Sequence, residues 1–402
     1  MKAFLGVDLG TTGCKGAVYA LDGQLISLKY YEIPLVKINR QQIEQDPDIW
    51  WNVSSQVIRE TAYDAAQKSL EIIAISISSQ GISFVPVDKQ GNPLHNAITW
   101  LDTRAENEIQ QITSVFPPST IFKKTGKRPE SYYTLPKLMW LKENEQDIYH
   151  NTACFMSAHD YIYHKLTGEF LTDFTLAGGT MMLDLQQYEW WQELLDYVEI
   201  DTHLLPKLNQ SGVTGYPILK HVAESLGLPE KILVITGGQD QKCSAFGAGL
   251  KENIATISLG TASAITAIAN FSALYQEQCI PIFPYIESNT LVFEGVLGTS
   301  GAAYKWVKET FFTQMDYPSL NKIASIAPPG SNGTIFLPHL SGASCPHWDS
   351  DATATFTGLH LASSPSDIIR SVLEGIAYQI RANLEVIQSY VSLESLILFG
   401  GG

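Results

Sequence analysis

The chain has 402 residues, of which 45% are hydrophobic and 17% charged, with a formal net charge of −15. These proportions exclude a disordered chain, and the length suggests two or three domains. The negative surplus would repel a phosphate backbone, which excludes nucleic acid as a partner and obliges any anionic ligand to be held by local donors.

The opening residues read as strand, turn, strand, turn, strand. Positions 3–7 are apolar, Leu9-Gly10-Thr11-Thr12-Gly13 is a turn, and 17–21 form a second apolar run. Asp22-Gly23 tolerates the positive φ of a tight hairpin. A strand follows the glycines, whereas a Walker loop or a Rossmann fingerprint needs a helix there. The N-terminus lacks the continuous apolar region of a signal peptide. No run reaches the roughly 18 to 20 apolar residues of a membrane helix. A cytoplasmic protein with no membrane partner is therefore expected. Five scattered cysteines (Cys14, Cys154, Cys243, Cys279 and Cys345) form no pair with zinc or disulfide spacing.

Positions 46–68 turn helical, with Ile49, Trp50, Val53, Val57, Ile58 and Ala62 near a 3.6-residue period. A buried strand is predicted at 72–76, followed by the polar segment Ser78-Ser79-Gln80-Gly81. Runs at 84–87 and 96–100 flank another turn. Helices are predicted at 135–143 and 159–166, the second stopping at Gly168. A strand at 232–236 leads into Gly237-Gly238-Gln239-Asp240-Gln241 and a small-residue helix. The segment 254–268 then repeats the opening strand-turn-strand imperfectly, with Ser258 in the place of Asp8. The duplication predicts two similar α/β domains, residues 1–250 and 251–402, with a ligand cleft between them.

The chemistry concentrates in three segments. In Asp8-Leu9-Gly10-Thr11-Thr12-Gly13-Cys14-Lys15 the glycines permit close backbone approach, and successive N–H groups make an anion-binding concavity. Thr11 and Thr12 add hydroxyls, Lys15 adds a charge, and Asp8 is placed to hold Mg2+. An ordinary hairpin turn is the alternative. Ser258-Leu259-Gly260-Thr261 offers a second such turn, so that two turns could grip one polyphosphate. Asp240, at a helix start, is either an N-cap or the base that accepts a hydroxyl proton in phosphoryl transfer.

Together these motifs resemble the FGGY carbohydrate kinases, in their xylulokinase-like branch, over essentially the whole chain. The segment 132–144 satisfies that family's first signature, and Ala354, Phe356, Gly358, Leu359, Asp367, Ile368, Ser371 and Glu374 satisfy its second. The resemblance implies two actin-like, ribonuclease-H-like domains and transfer of the γ-phosphoryl group of ATP to a small sugar, D-xylulose or a related ketose or polyol. It implies Asp240 as catalytic base and Asp8 at the metal. It places Gly10, Thr11, Thr12, Gly13, Lys15, Gly260, Thr261, Gly400 and Gly401 at the nucleotide. It places Gln80, Trp100, Asp102, Arg104, Tyr132 and Gln241 near the sugar, although Asp102 and Arg104 could equally be a structural ion pair. ATP and Mg2+ are the implied cofactors, and a homodimer is an open assembly.

Two departures stand out. Where xylulokinases carry Gln-Met-His-Gly, this chain has Gln80-Gly81-Ile82-Ser83, without the histidine. The sequence also stops at Phe399-Gly400-Gly401-Gly402, where the family's adenosine motif begins, so the second domain is expected to be truncated. A rival reading is a catalytically impaired, sugar- or nucleotide-binding relative of such kinases.

Overall fold

A computed structural model describes residues 1–213, 215–277 and 280–400. The chain forms two compact units: residues 1–243 with 283–290, and 244–282 with 291–402.

The first unit is built on a six-stranded sheet. Strands β1 (Lys2–Leu9), β2 (Gly13–Ala20) and β3 (Leu25–Glu32) form an antiparallel meander. Beyond β1 the sheet continues through β4 (Glu71–Ser79) and β6 (Leu233–Gln239), both parallel to it, to the edge strand β5 (Gly215–Pro217). Strand β1 alternates strictly, burying Ala3, Leu5, Val7 and Leu9. That face is covered by helix α1 (Pro47–Gln67), which starts where the sequence dictates. The Asp46 carboxylate accepts from Asp48 N, and Pro47, which has no N–H to satisfy, occupies the first turn. Trp50, Val57, Ile58 and Ala65 of α1 are fully buried. A Cβ at Gly16 would stand 2.9 Å from Val57 Cβ, so the glycine sets how closely helix and sheet pack.

A second apolar core lies under a small antiparallel sheet that includes Ile43–Gln45, Ala97–Ile98, Phe84–Val87 and Cys154–Ser157. It is closed by helix α2 (Thr134–Asn144). Helix α3 (Ala158–Thr167) begins with a Ser157/Asp160 capping box and ends at Gly168 with φ 81°, the left-handed stop the sequence predicts.

The second unit repeats the first at the level of strands. Strands β7 (Ile254–Leu259), β8 (Ser263–Ala269) and β9 (Leu291–Leu297) form an antiparallel meander like β1–β3. Strand β10 (Ser395–Gly400) then runs parallel to β7, as β4 does to β1. The helix leading into it, α6 (Pro365–Gln388), follows a shorter helix, α5 (Gly301–Phe311), and opens with a Ser364/Asp367 capping box. It buries Ile369, Val372, Gly375, Gln379, Asn383 and Ile387 at helical spacing. Gly375 permits its contact with the strand Ile335–Leu337, since a Cβ there would lie 2.2 Å from Phe336 O. Among the described residues no helix is long and apolar enough to cross a membrane.

Candidate active site

Parallel strands present all their C-terminal ends on one side of a sheet, and open α/β sheets bind ligands there. In the first unit those ends belong to β1, β4 and β6. The register sets Asp8 beside Ser78 and Ser78 beside Gly238, so the turn after β1, the segment after β4 and Asp240 after β6 emerge together. With strands about 4.8 Å apart, Asp8 and Gly238 are on the order of 10 Å from each other.

The turn after β1 is closed by a hydrogen bond from Gly10 N to Gly13 O at 2.9 Å. A Cβ at Gly13 would fall 2.4 Å from the end of the exposed Tyr30 ring, so any larger residue there requires that ring to move. Thr11 is half-buried, while Thr12 and Lys15 are exposed. Lys15 lies opposite Asp8 in the β1–β2 ladder. Asp8 accepts from the Ser78 hydroxyl at 3.0 Å. Burial pushes its carboxyl upward, with Ser78 and Lys15 opposing. Among the described residues no cluster of three or more His, Cys, Asp or Glu could hold a metal ion alone. One carboxylate fits a Mg2+ whose other ligands are phosphate oxygens and water.

The second unit presents the same device with one residue fewer. Leu9 pairs with Cys14 across four turn residues, whereas Leu259 pairs with Ser263 across three. The shorter turn is closed by Gly260 N to Ala262 O at 3.1 Å. The start of α5 braces it: Gly301 N and Ala302 N donate to Gly260 O and Thr261 O, each at 3.0 Å. A Cβ at Gly301 would lie 2.5 Å from Gly260 O. Thr261 is exposed, and Gly400 closes the ladder beside Leu259 with φ 126°. Gly401 lies outside the described residues.

Gln80 and Trp100 join the first turn through a closed ring of hydrogen bonds. Thr11 Oγ1 donates to Gln80 Oε1 at 3.3 Å, and Ser83 Oγ donates to the same oxygen at 3.1 Å. Trp100 N donates to Ser83 Oγ at 3.0 Å, and the Trp100 indole returns to Thr11 Oγ1 at 2.7 Å. Gln80 is buried and gives its Nε2 to Gln45 Oε1 at 2.8 Å. Trp100 is the most exposed member, at 39%.

Asp102 and Arg104 resolve differently from Trp100. Asp102 is fully inaccessible, and Arg104 binds it through Nε and Nη2 while also reaching Glu44 Oε1 at 2.7 Å. Ile43 N donates to Asp102 Oδ2 at 2.7 Å. Of the two readings the sequence leaves open for this pair, the geometry is that of an internal ion pair. Tyr132 is half-buried, its hydroxyl 3.2 Å from that of Tyr133.

Asp240 is the first residue of helix α4 (Asp240–Gly247), following β6 without a linker. Its Oδ1 accepts from Gln241 N at 2.7 Å and from Gln239 Nε2 at 2.5 Å. The glycines before it are forced by contact, since a Cβ at Gly237 would lie 1.8 Å from Ile77 O. Gln45, Ser78, Ser83 and Ser300 also shape these turns, yet none sits in a pattern with chemical meaning in the sequence.

The models for the N-terminal and C-terminal domains of the FGGY family of carbohydrate kinases match residues 3–247 and 255–402. A xylulose kinase of Lactococcus lactis subsp. lactis strain IL1403 is 30% identical over 406 residues, covering 100% of this chain and 80% of the relative. The ligand-bound structure of a xylulose kinase from Lactobacillus acidophilus matches with a TM-score of 0.91 at 28% identity. A gluconate kinase structure from the same organism matches with a TM-score of 0.91 at 29% identity. Each covers 100% of this chain, which spans 81% of either structure. With both halves matched by the two models, the chain belongs to the FGGY family of carbohydrate kinases.

Proposed function

We propose that this carbohydrate kinase phosphorylates a ketose or closely related polyol, with D-xylulose as the first candidate, and that Asp240 is its catalytic base. The observation that carries the reading is the shared strand register, which brings Asp8, the Gly10–Gly13 turn and Asp240 to one end of one sheet. The xylulose kinase names among its relatives support the choice of sugar. Ile82, standing where a histidine is expected, keeps related acceptors in contention.

In this reading the first domain binds the sugar and the second the nucleotide. Trp100 offers its exposed indole to the sugar, Tyr132 and Gln241 are the further candidates for contact with it, and Gln80 acts by holding Thr11 and Ser83. Asp102 and Arg104 brace the segment that carries Trp100. Asp240 accepts the proton of the attacking hydroxyl on a carboxylate oxygen, and the Gln239 side chain and Gln241 N–H fix its orientation. Such a base contributes about 10²- to 10⁴-fold. The Gly10-Thr11-Thr12-Gly13 turn and Lys15 are the phosphate-binding candidates of the first domain, Gly10 N–H itself being kept by Gly13 O. Gly260, Thr261, Gly400 and Gly401 are the nucleotide-binding candidates of the second. Asp8 would hold Mg2+, which when bound offsets the phosphate charge.

The test is ADP release across ketopentoses, polyols and gluconate, wild type beside Asp240→Asn. Turnover that depends on one sugar and drops at least about 100-fold in the variant supports the reading and names the acceptor. Sugar-dependent turnover that survives in Asp240→Asn removes Asp240 as base. A protein that consumes ATP with no sugar on the panel removes the acceptor class.

A further inference from the structure

Strand β6 does not reach Asp240 as a regular strand. Its pairing with β4 runs from Leu233 to Ile235 and resumes only at Gly238. Across this irregularity two backbone N–H groups are taken up by side chains of the first unit. Gly237 N donates to His159 Nε2 at 3.2 Å, and Gln239 N donates to Thr175 Oγ1 at 2.8 Å.

The proton directions are fixed because a backbone N–H can only donate. His159 Nε2 must therefore be the unprotonated ring nitrogen, and Nδ1 carries the hydrogen toward Asp160 Oδ1 at 3.0 Å. Thr175 likewise spends its only hydrogen on Asp173 Oδ1 at 2.8 Å and presents a lone pair to Gln239. Asp173 is wholly buried and held in turn by Thr175 N at 3.1 Å, Leu176 N at 2.9 Å and the Ser211 hydroxyl. Nothing in this arrangement can rotate without stranding a buried polar group, which makes it rigid. The fit is close as well, since a Cβ on Gly238 would lie 2.8 Å from Thr175 Oγ1.

Gln239 is also the residue whose Nε2 holds Asp240 Oδ1 at 2.5 Å. We infer that Thr175, locked by Asp173, is a positioning residue for Asp240, acting through the backbone of Gln239. The inference rests on the reading of Asp240 as catalytic base. The role assigned to Thr175 runs through its bond to Gln239 N. Its effect is to fix where the Gln239 side chain starts, and so where the base carboxylate points. Small displacements matter here, because misplacing a catalytic group by about 1 Å can cost on the order of 100-fold.

The test compares Thr175→Val, which keeps the shape and removes the acceptor, with Thr175→Ser, which keeps the acceptor. Each is measured beside wild type and Asp240→Asn. Thr175→Val is expected to lower kcat by about 10- to 100-fold while KM for sugar and ATP moves less than about twofold, and Thr175→Ser is expected to restore kcat. In the ligand-free protein, hydrogen exchange at residues 237–241 is expected to quicken in Thr175→Val and not in Thr175→Ser. Should the valine variant fail to fold, Thr175→Ala carries the same comparison. An inactive Asp240→Asn together with wild-type kcat in Thr175→Val, or a loss that serine does not restore, overturns the positioning role alone. Retained turnover in Asp240→Asn overturns the base assignment and this inference with it.

Discussion

The indole Nε1 of Trp100 donates to the hydroxyl of Thr11 at 2.7 Å, across 89 residues of sequence. This bond joins the segment proposed to face the sugar to the turn proposed to face phosphate. Through Gln80 and Ser83 it is one edge of a closed ring, so neither segment can shift alone.

Removing that edge should be felt at both ligands. A hydrogen bond of this kind contributes about 0.5–1.5 kcal/mol, or about two- to twelvefold. Trp100→Phe is expected to raise KM for sugar and for ATP together, by about three- to tenfold, with kcat changed less. Thr11→Val should do the same. Both variants break this shared bond and Thr11→Val also removes the bond to Gln80, so the double variant should be little worse than Thr11→Val alone. Additive effects in the full cycle would show that the two segments act separately.

Much of this scaffold was legible residue by residue. Asp46-Pro47 announces the start of α1 and Gly168 the end of α3, because caps depend on local chemistry alone. The two strand-turn-strand units were visible as a repeat, and with them the fold. The ring around Gln80 was not, since it joins four residues from three segments distant in sequence, none of which carries a local signal for it. Asp102 and Arg104 stayed ambiguous for the same reason. A charged pair reads identically in a pocket or a core, and only burial separates the two. The return of residues 283–290 to the first unit had no local signal either.

Lys137 gives the ion-pair region a pH signature. It is fully buried, donates to Thr99 O at 2.8 Å, and has its pKa pushed down to about 7 by burial, with Asp102 opposing and Arg104 adding to the shift. The unfolded chain holds this proton up to about pH 10.4, so between pH 7 and 9 it binds more protons than the folded one. Stability therefore rises with pH across that window, by on the order of 2 kcal/mol from this group. Lys137→Met, which keeps the volume, should lose that slope. Urea titrations of both proteins at pH 7 and pH 9 give the comparison, and an unchanged slope in the variant would place the titration elsewhere.

Glycines in this fold answer to two separate demands, which substitution can tell apart. Gly227 has φ 68° with open space around its missing Cβ, so alanine there meets only backbone strain, worth about 1 kcal/mol. Gly237 has no positive φ, but its Cβ would lie 1.8 Å from Ile77 O. Alanine there must push β6 off β4, and such overpacking costs typically about 1–3 kcal/mol and occasionally more. Gly237→Ala should therefore lower the melting temperature well beyond Gly227→Ala and remove activity through Asp240. Equal melting temperatures would mean the strands are not packed this closely in solution.

Asp8 should behave as a residue kept at some cost to stability. Its carboxyl is pushed upward by burial, against the help of Ser78 and Lys15. The unfolded chain thus releases this proton at lower pH than the folded one, and the group withdraws stability as pH rises from the ordinary carboxylate range through the folded pKa. At neutral pH Asp8→Asn, which carries no charge to bury, is expected to melt no lower than wild type, and higher if Ser78 keeps its bond to the amide oxygen. Turnover should nonetheless fall by at least about 100-fold, as such trade-offs lead one to expect of a ligand-binding charge. The Mg2+ dependence of the residual activity separates this from general damage. A variant that melts as wild type does but needs far more Mg2+ fits a lost metal ligand. One that melts lower and keeps the wild-type Mg2+ requirement would make Asp8 a structural partner of Ser78 and Lys15, and would leave the metal to be held elsewhere.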